Sequence, residues 1–205
     1  MMEAIKIVYI DDTPDVYLSK YLDNISSYSD YKDYCFETVE IIFNPANDYS
    51  SLLHDEHIRT ANIIIIDSRL FENRTATSGK FTGEEFKFIL QKFYSYIEVI
   101  VITQNENESG IEMVAKYVKN QNQTADDYYA EVMPPYLNTA ISKIIQYRIL
   151  AERVNQNQSW ERVLKEKVLG TLQGTLEYNE LSKSDIDTLI CAFREIRKCI
   201  NDEGL

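Results

Sequence analysis

Short β-branched apolar runs alternate with stretches of helical periodicity up to about residue 135, and the pattern is helical thereafter. Ile5–Ile10 reads as a first strand ending in Asp11 and Asp12. Pro14 suits the first turn of a helix, and Val16, Tyr17, Tyr21, Leu22 and Ile25 follow at roughly helical spacing. Phe36–Phe43 predicts a second strand and Ala46–Thr60 a helix through Leu52, Leu53 and Ile58. Asn62–Ile66 is an unbroken apolar run ending at Asp67, as expected of a central parallel strand covered on both faces. Residues 68–81 are mostly polar and predict an exposed loop. A helix is expected from Gly83 to about Tyr96, a fourth strand at Ile97–Thr103, a fourth helix at Ser109–Val118 and a fifth strand at Tyr128–Met133, closed by Pro134 and Pro135. This order predicts an α/β fold, a five-stranded parallel sheet wound on both faces with right-handed crossovers.

From Tyr136 one long helix is expected to about Leu169, with Gly170 and Gly174 interrupting the pattern. Ser184 then caps a last helix whose Ile186, Leu189, Ile190, Phe193, Ile196 and Ile200 form a near-heptad stripe. The expected organisation is therefore an α/β domain over 1–135 and a C-terminal helical hairpin over 136–205, serving dimerisation or output. A helix that outruns a sheet of short strands needs an apolar partner, either the last helix or a second copy.

Charge sharpens this division. Of the 205 residues, the first 135 carry 11 Lys and Arg against 23 Asp and Glu, while residues 136–205 carry 10 of each. An acidic first part repels nucleic acid and a neutral second part offers no basic stripe, so direct nucleic-acid binding is not expected. No apolar run approaches the roughly 20 residues that cross a bilayer, and no basic segment precedes the first apolar stretch, which predicts a cytoplasmic protein without a membrane role. The three cysteines and two histidines are too few and too scattered for a disulfide framework or a zinc site.

The acidic residues are better placed for chemistry. Asp11 and Asp12 follow strand one, Asp67 ends strand three and Thr103 closes strand four, all at the carboxyl edge of the expected sheet, where open α/β sheets bind ligands. Three carboxylates converging there cannot all ionise unless a cation joins them, and oxygen-only ligands suit Mg2+. With IKIVYIDDTPDVYLSKYL, the IIIID ending at Asp67, the VIVIT ending at Thr103 and the later MPPYLNTAISKIIQYRIL, residues 3–150 resemble a response-regulator receiver domain of flavodoxin-like fold. The resemblance implies a two-component signalling module. Asp67 would be the phosphoacceptor, Asp11 and Asp12 the acidic pair that holds Mg2+, Arg69 the residue whose backbone carbonyl completes the metal site, and Thr103 the hydroxyl bonded to the phosphoryl group.

The family's Lys before Pro at the end of strand five falls, in this register, on Met133. The aromatic expected three residues earlier falls on Ala130. Lys116, Lys119 or Lys80 would substitute only in a different register or with the loop folded inwards. The resemblance implies a histidine kinase or other phosphodonor protein, a downstream protein partner reached through the C-terminal helices, and a homodimer. It implies no enzyme beyond Mg2+-dependent autophosphorylation of Asp67. Met133 and the long loop after Asp67 point instead to an atypical pseudo-receiver, a scaffold that works without phosphorylation. An aspartate-dependent phosphohydrolase would want an acid two residues after the nucleophile, where Arg69 stands.

Overall fold

The computed structural model describes residues 2–44, 49–70, 82–104, 113–119, 122–159 and 162–173. Five parallel strands form one sheet: β1 (Glu3–Asp11), β2 (Tyr34–Ile42), β3 (Ile63–Asp67), β4 (Glu98–Thr103) and β5 (Val114–Ala115), in the order β2-β1-β3-β4-β5. This is the flavodoxin-like arrangement, with its switch point between β1 and β3. Alternation along the strands sends side chains to two cores. Ile5, Ile7, Tyr9, Ile63, Ile65, Ile100 and Ile102 pack with α1 (Val16–Asp23), α5 (Ala125–Val132) and the first half of α6 (Pro134–Gln156). Val8, Ile10, Ile64, Ile66, Val99 and Val101 pack with α2 (Tyr49–Leu53), α3 (Glu56–Arg59) and α4 (Gly83–Phe93). Burial on both faces explains why β3 reads as isoleucine without a polar alternate.

Several expected elements fall differently. The helix begins at Val16, and Asp15 rather than Pro14 starts it, its carboxylate accepting from the Tyr17 amide. The segment expected as one helix to Thr60 is divided into α2 and α3 because Asp55 caps the second, accepting from His57 N at 2.8 Å. Tyr128–Met133 is not the fifth strand. Thr124 caps α5 by accepting from the Asp127 amide, and Asp126 and Asp127 sit in its first turn, where the helix dipole favours them. The fifth strand is Val114–Ala115, inside the segment expected as a helix at Ser109–Val118; it pairs Val114 with Ile102 and Ala115 with Thr103.

The long helix expected to Leu169 is two helices. Asn157 leaves the helical conformation, its side chain accepts from the Ser159 amide at 2.9 Å, and α7 (Arg162–Gln173) packs back on α6. Lys165 Nζ donates to the carbonyls of Asn155 and Asn157, satisfying acceptors left open at the end of α6. Gly170 lies inside α7 and does not interrupt it. The expected helix from Ser184, most of the loop 68–81 and residues 109–112 lie outside the described residues. No helix among the described residues is long and apolar enough to cross a membrane.

Candidate functional site

At the carboxyl edge, β1, β3 and β5 end side by side across β4, and the alternation that places Ile7, Tyr9, Ile65 and Val114 on one face carries Asp11, Asp67 and Lys116 to that same face. The three side chains form one buried cluster. Lys116 Nζ lies 2.7 Å from Asp11 Oδ2 and 2.6 Å from Asp67 Oδ1, with side-chain exposures of 5%, 1% and 9%. The remaining carboxylate oxygens are also held. Asp11 Oδ1 accepts from the Thr13 amide at 3.0 Å, and Asp67 Oδ2 accepts from the Arg69 amide at 2.8 Å. Tyr9 OH adds a second donor to Asp11 Oδ2 at 2.6 Å.

Lys116 thus directly follows the fifth strand, with Tyr117 rather than a proline after it. Met133 is instead a fully buried core residue between α5 and α6, and Ala130 lies within α5. The register expected from Tyr128–Met133 is corrected because a two-residue strand leaves almost no pattern, whereas Tyr128, Tyr129, Val132 and Met133 imitate a strand in sequence. Backbone pairing fixes the new register: the Lys116 amide donates to the Thr103 carbonyl at 2.7 Å. Thr103 is buried beside it at the end of β4. Asp12 is half-buried next to Asp11, and Arg69 is exposed.

Burial drives the Asp67 pKa upward despite the bonds from Lys116, and the neighbouring Asp11 charge adds to the rise. Burial also works to lower the Lys116 pKa, but the hydrogen bonds and charges of Asp11 and Asp67 outweigh it and leave the ammonium above its ordinary value. Lys116 therefore stays charged and makes the burial of two aspartates tolerable.

Among the described residues, no group of three or more His, Cys, Asp or Glu side chains forms a ready-made metal site. The donor chemistry at this edge is nonetheless oxygen-only, which suits a hard divalent cation, and carboxylate oxygens bound to one donor keep a second lone pair.

The backbone around Asp67 is tightly set. The Ser68 amide continues the ladder to the Ile102 carbonyl at 2.8 Å, and the Gly83 amide donates to the Ser68 carbonyl at 2.7 Å. A Cβ on Gly83 would stand 2.4 Å from the Asp67 carbonyl oxygen. Only glycine lets the start of α4 approach so closely. Thr82 and Glu85 close a capping box there, and the Ser68 hydroxyl donates to the buried Glu84 carboxylate at 3.3–3.4 Å. A cavity of about 740 Å3, lined by Asn62, Tyr96 and Arg148 among others, lies at the opposite edge of the sheet and contains none of these groups.

The chain matches no protein-family model and no curated protein. Among solved structures it is similar to a response regulator protein from Burkholderia pseudomallei, crystallised with a phosphorylated aspartic acid, a calcium ion and citrate. Identity is 13%, the match covers 84% of this chain and 98% of that one, and the TM-score is 0.33. The five-stranded parallel sheet itself fits a receiver fold.

Proposed function

We propose that the chain is a two-component-type receiver module whose phosphoacceptor is Asp67. The observation that carries this reading is the Lys116 ammonium held between Asp11 and Asp67 at the carboxyl edge of a β2-β1-β3-β4-β5 sheet, the edge at which Thr103 ends β4. An Asp67 carboxylate oxygen forms the new O–P bond as the bond from phosphorus to the donor's leaving group breaks, the donor being a phosphohistidine of a histidine kinase or a small acyl phosphate. The Arg69 amide orients the carboxylate through Oδ2. Lys116 neutralises charge on the transferring group, and the Thr103 hydroxyl donates to a phosphoryl oxygen. Asp11, Asp12, Asp67 and the Arg69 carbonyl would hold Mg2+, which when bound screens the carboxylates from the incoming phosphate.

Phosphorylation adds one to two negative charges at this edge by the usual behaviour of phosphoryl groups, and protein contacts pass the change on. Ile149, Leu150 and Val163 stay exposed along α6 and α7 and offer an apolar surface for a downstream partner or a second copy. The decisive test is labelling by acetyl phosphate with Mg2+, read by intact mass. One phosphoryl increment is expected on the wild-type chain and none on Asp67→Asn, and equal labelling of both would sink the assignment.

A second reading, the phosphorylation-independent scaffold, loses the support it drew from Met133. It keeps one observation: Lys116 already satisfies both carboxylates without a ligand. Absence of labelling in the wild-type chain would favour it.

A further inference from the structure

Two buried phenols connect the carboxylate cluster to a helix beyond the sheet. Tyr9 OH donates to Asp11 Oδ2 at 2.6 Å, the same oxygen that Lys116 holds, and accepts from the Asp15 amide at 2.9 Å. Asp15 is the N-cap of α1. Its Oδ2 accepts from Tyr129 OH, on α5, at 2.5 Å, while the Tyr129 oxygen accepts from the Tyr117 amide at 3.1 Å. Tyr117 follows Lys116, so the path returns to the cluster and forms a closed ring of hydrogen bonds. Tyr9 and Tyr129 are at most 2% exposed.

We propose that Tyr9 is a positioning residue for Asp11, and that Tyr9, Asp15 and Tyr129 form a relay by which a change at the Asp67–Lys116 pair alters the seating of α5 against α1. Phenylalanine would fill either space, and a buried hydroxyl costs free energy unless it is bonded. Here each hydroxyl spends its single proton on a carboxylate and accepts a backbone amide, which fixes the direction of both bonds. If Lys116 turns towards new charge on Asp67, Asp11 Oδ2 loses one of its two donors and leans harder on Tyr9. Linked hydrogen bonds polarise one another, so the load passes to the Asp15 cap and to Tyr129. The receiver reading supplies only the identity of the event at Asp67; the relay rests on the distances.

The test uses the full chain and two perturbations: Asp67→Asn, which needs no phosphate, and Mg2+ with beryllofluoride. Amide hydrogen exchange of α5 and the amide shifts of Asp15 and Tyr117 are read in wild-type, Tyr9→Phe and Tyr129→Phe backgrounds. Asp67→Asn is expected to change α5 exchange about fivefold in the wild type, the low end of usual coupling between sites, and less than about twofold in either phenylalanine background. Tyr21→Phe, which removes a buried hydroxyl outside the ring, is expected to leave the full response. An equal response in wild type and Tyr9→Phe, or no α5 response in the wild type, overturns the relay. If Tyr9→Phe fails to fold, Tyr129→Phe cuts the ring at its other phenol and decides alone. Silence to beryllofluoride with an intact, Tyr9-dependent response to Asp67→Asn would reject the receiver reading and keep the relay.

Discussion

With two buried carboxylates sharing one ammonium at 2.7 and 2.6 Å, replacing Lys116 by methionine leaves two negative charges facing each other without water. Removing one partner of a buried ion pair typically costs about 3–5 kcal/mol, because the survivor stays buried and uncompensated. Lys116→Met is therefore expected to lower unfolding free energy by about 3 kcal/mol at neutral pH, read by urea denaturation. The pH dependence follows from signs. The raised Lys116 pKa means that its contribution is complete below the ordinary lysine value of about 10.4 and is lost as pH rises through the higher folded value. At the acid end the variant's carboxylates protonate and shed their repulsion. The gap between wild type and Lys116→Met is expected to be widest near neutrality, and to close both in acid and above roughly pH 10.5. A gap that is constant with pH would mean that packing, not charge, holds the cluster.

Elements bring these residues together through contacts that leave little slack. The start of α4 sits on the backbone of Asp67 and Ser68, where a Cβ on Gly83 would meet three backbone atoms at 2.4–3.0 Å. Backbone cannot rotate away as a side chain can, so Gly83→Ala must push α4 off β3. Overpacking of this kind costs about 1–3 kcal/mol, and the displaced atoms include the Asp67 carbonyl. The expected outcome is a chain less stable by about 2 kcal/mol in urea, with shifted amide resonances at Ser68 and Arg69. Unchanged resonances there would show that the strain is absorbed elsewhere. The helix α5 has its own capping signals, which outweigh the strand-like run from Tyr128 to Met133.

At the scale of the whole molecule, α6 belongs to the sheet before it belongs to the C-terminal hairpin. Leu137, Ala140, Ile141 and Ile144 are all at most 3% exposed and cover the same face as α1. A chain cut after residue 135 exposes that face, and burying an aliphatic side chain contributes about 1.5–3 kcal/mol. We expect residues 1–135 to lack a cooperative thermal transition, and residues 1–159, which keep all of α6, to retain one. Calorimetry on the two truncated chains decides this, and equal transitions would show that α6 is dispensable to the fold. If residues 160–205 join two copies, light scattering should show that 1–159 is monomeric and the full chain dimeric.

Sequence alone determined the order of the elements through β4, the buried character of β3 and the carboxylates at its edge. Each follows from strong local signals: β-branched runs, helical spacing, and an aspartate where an apolar run stops. Lys116 was visible only as one of three lysines that a different register would admit, and Tyr9 was one aromatic among fifteen tyrosines. Tertiary structure decided which residues follow the fifth strand, because β5 is two residues long and owes its existence to pairing with Ile102 and Thr103 rather than to its own pattern. It also decided that a lysine 105 residues after Asp11 neutralises it, and that Tyr9 and Tyr129 close a ring around the site. Such contacts depend on parity and register across strands distant in sequence, and a one-residue slip would turn every one of these side chains to the other face.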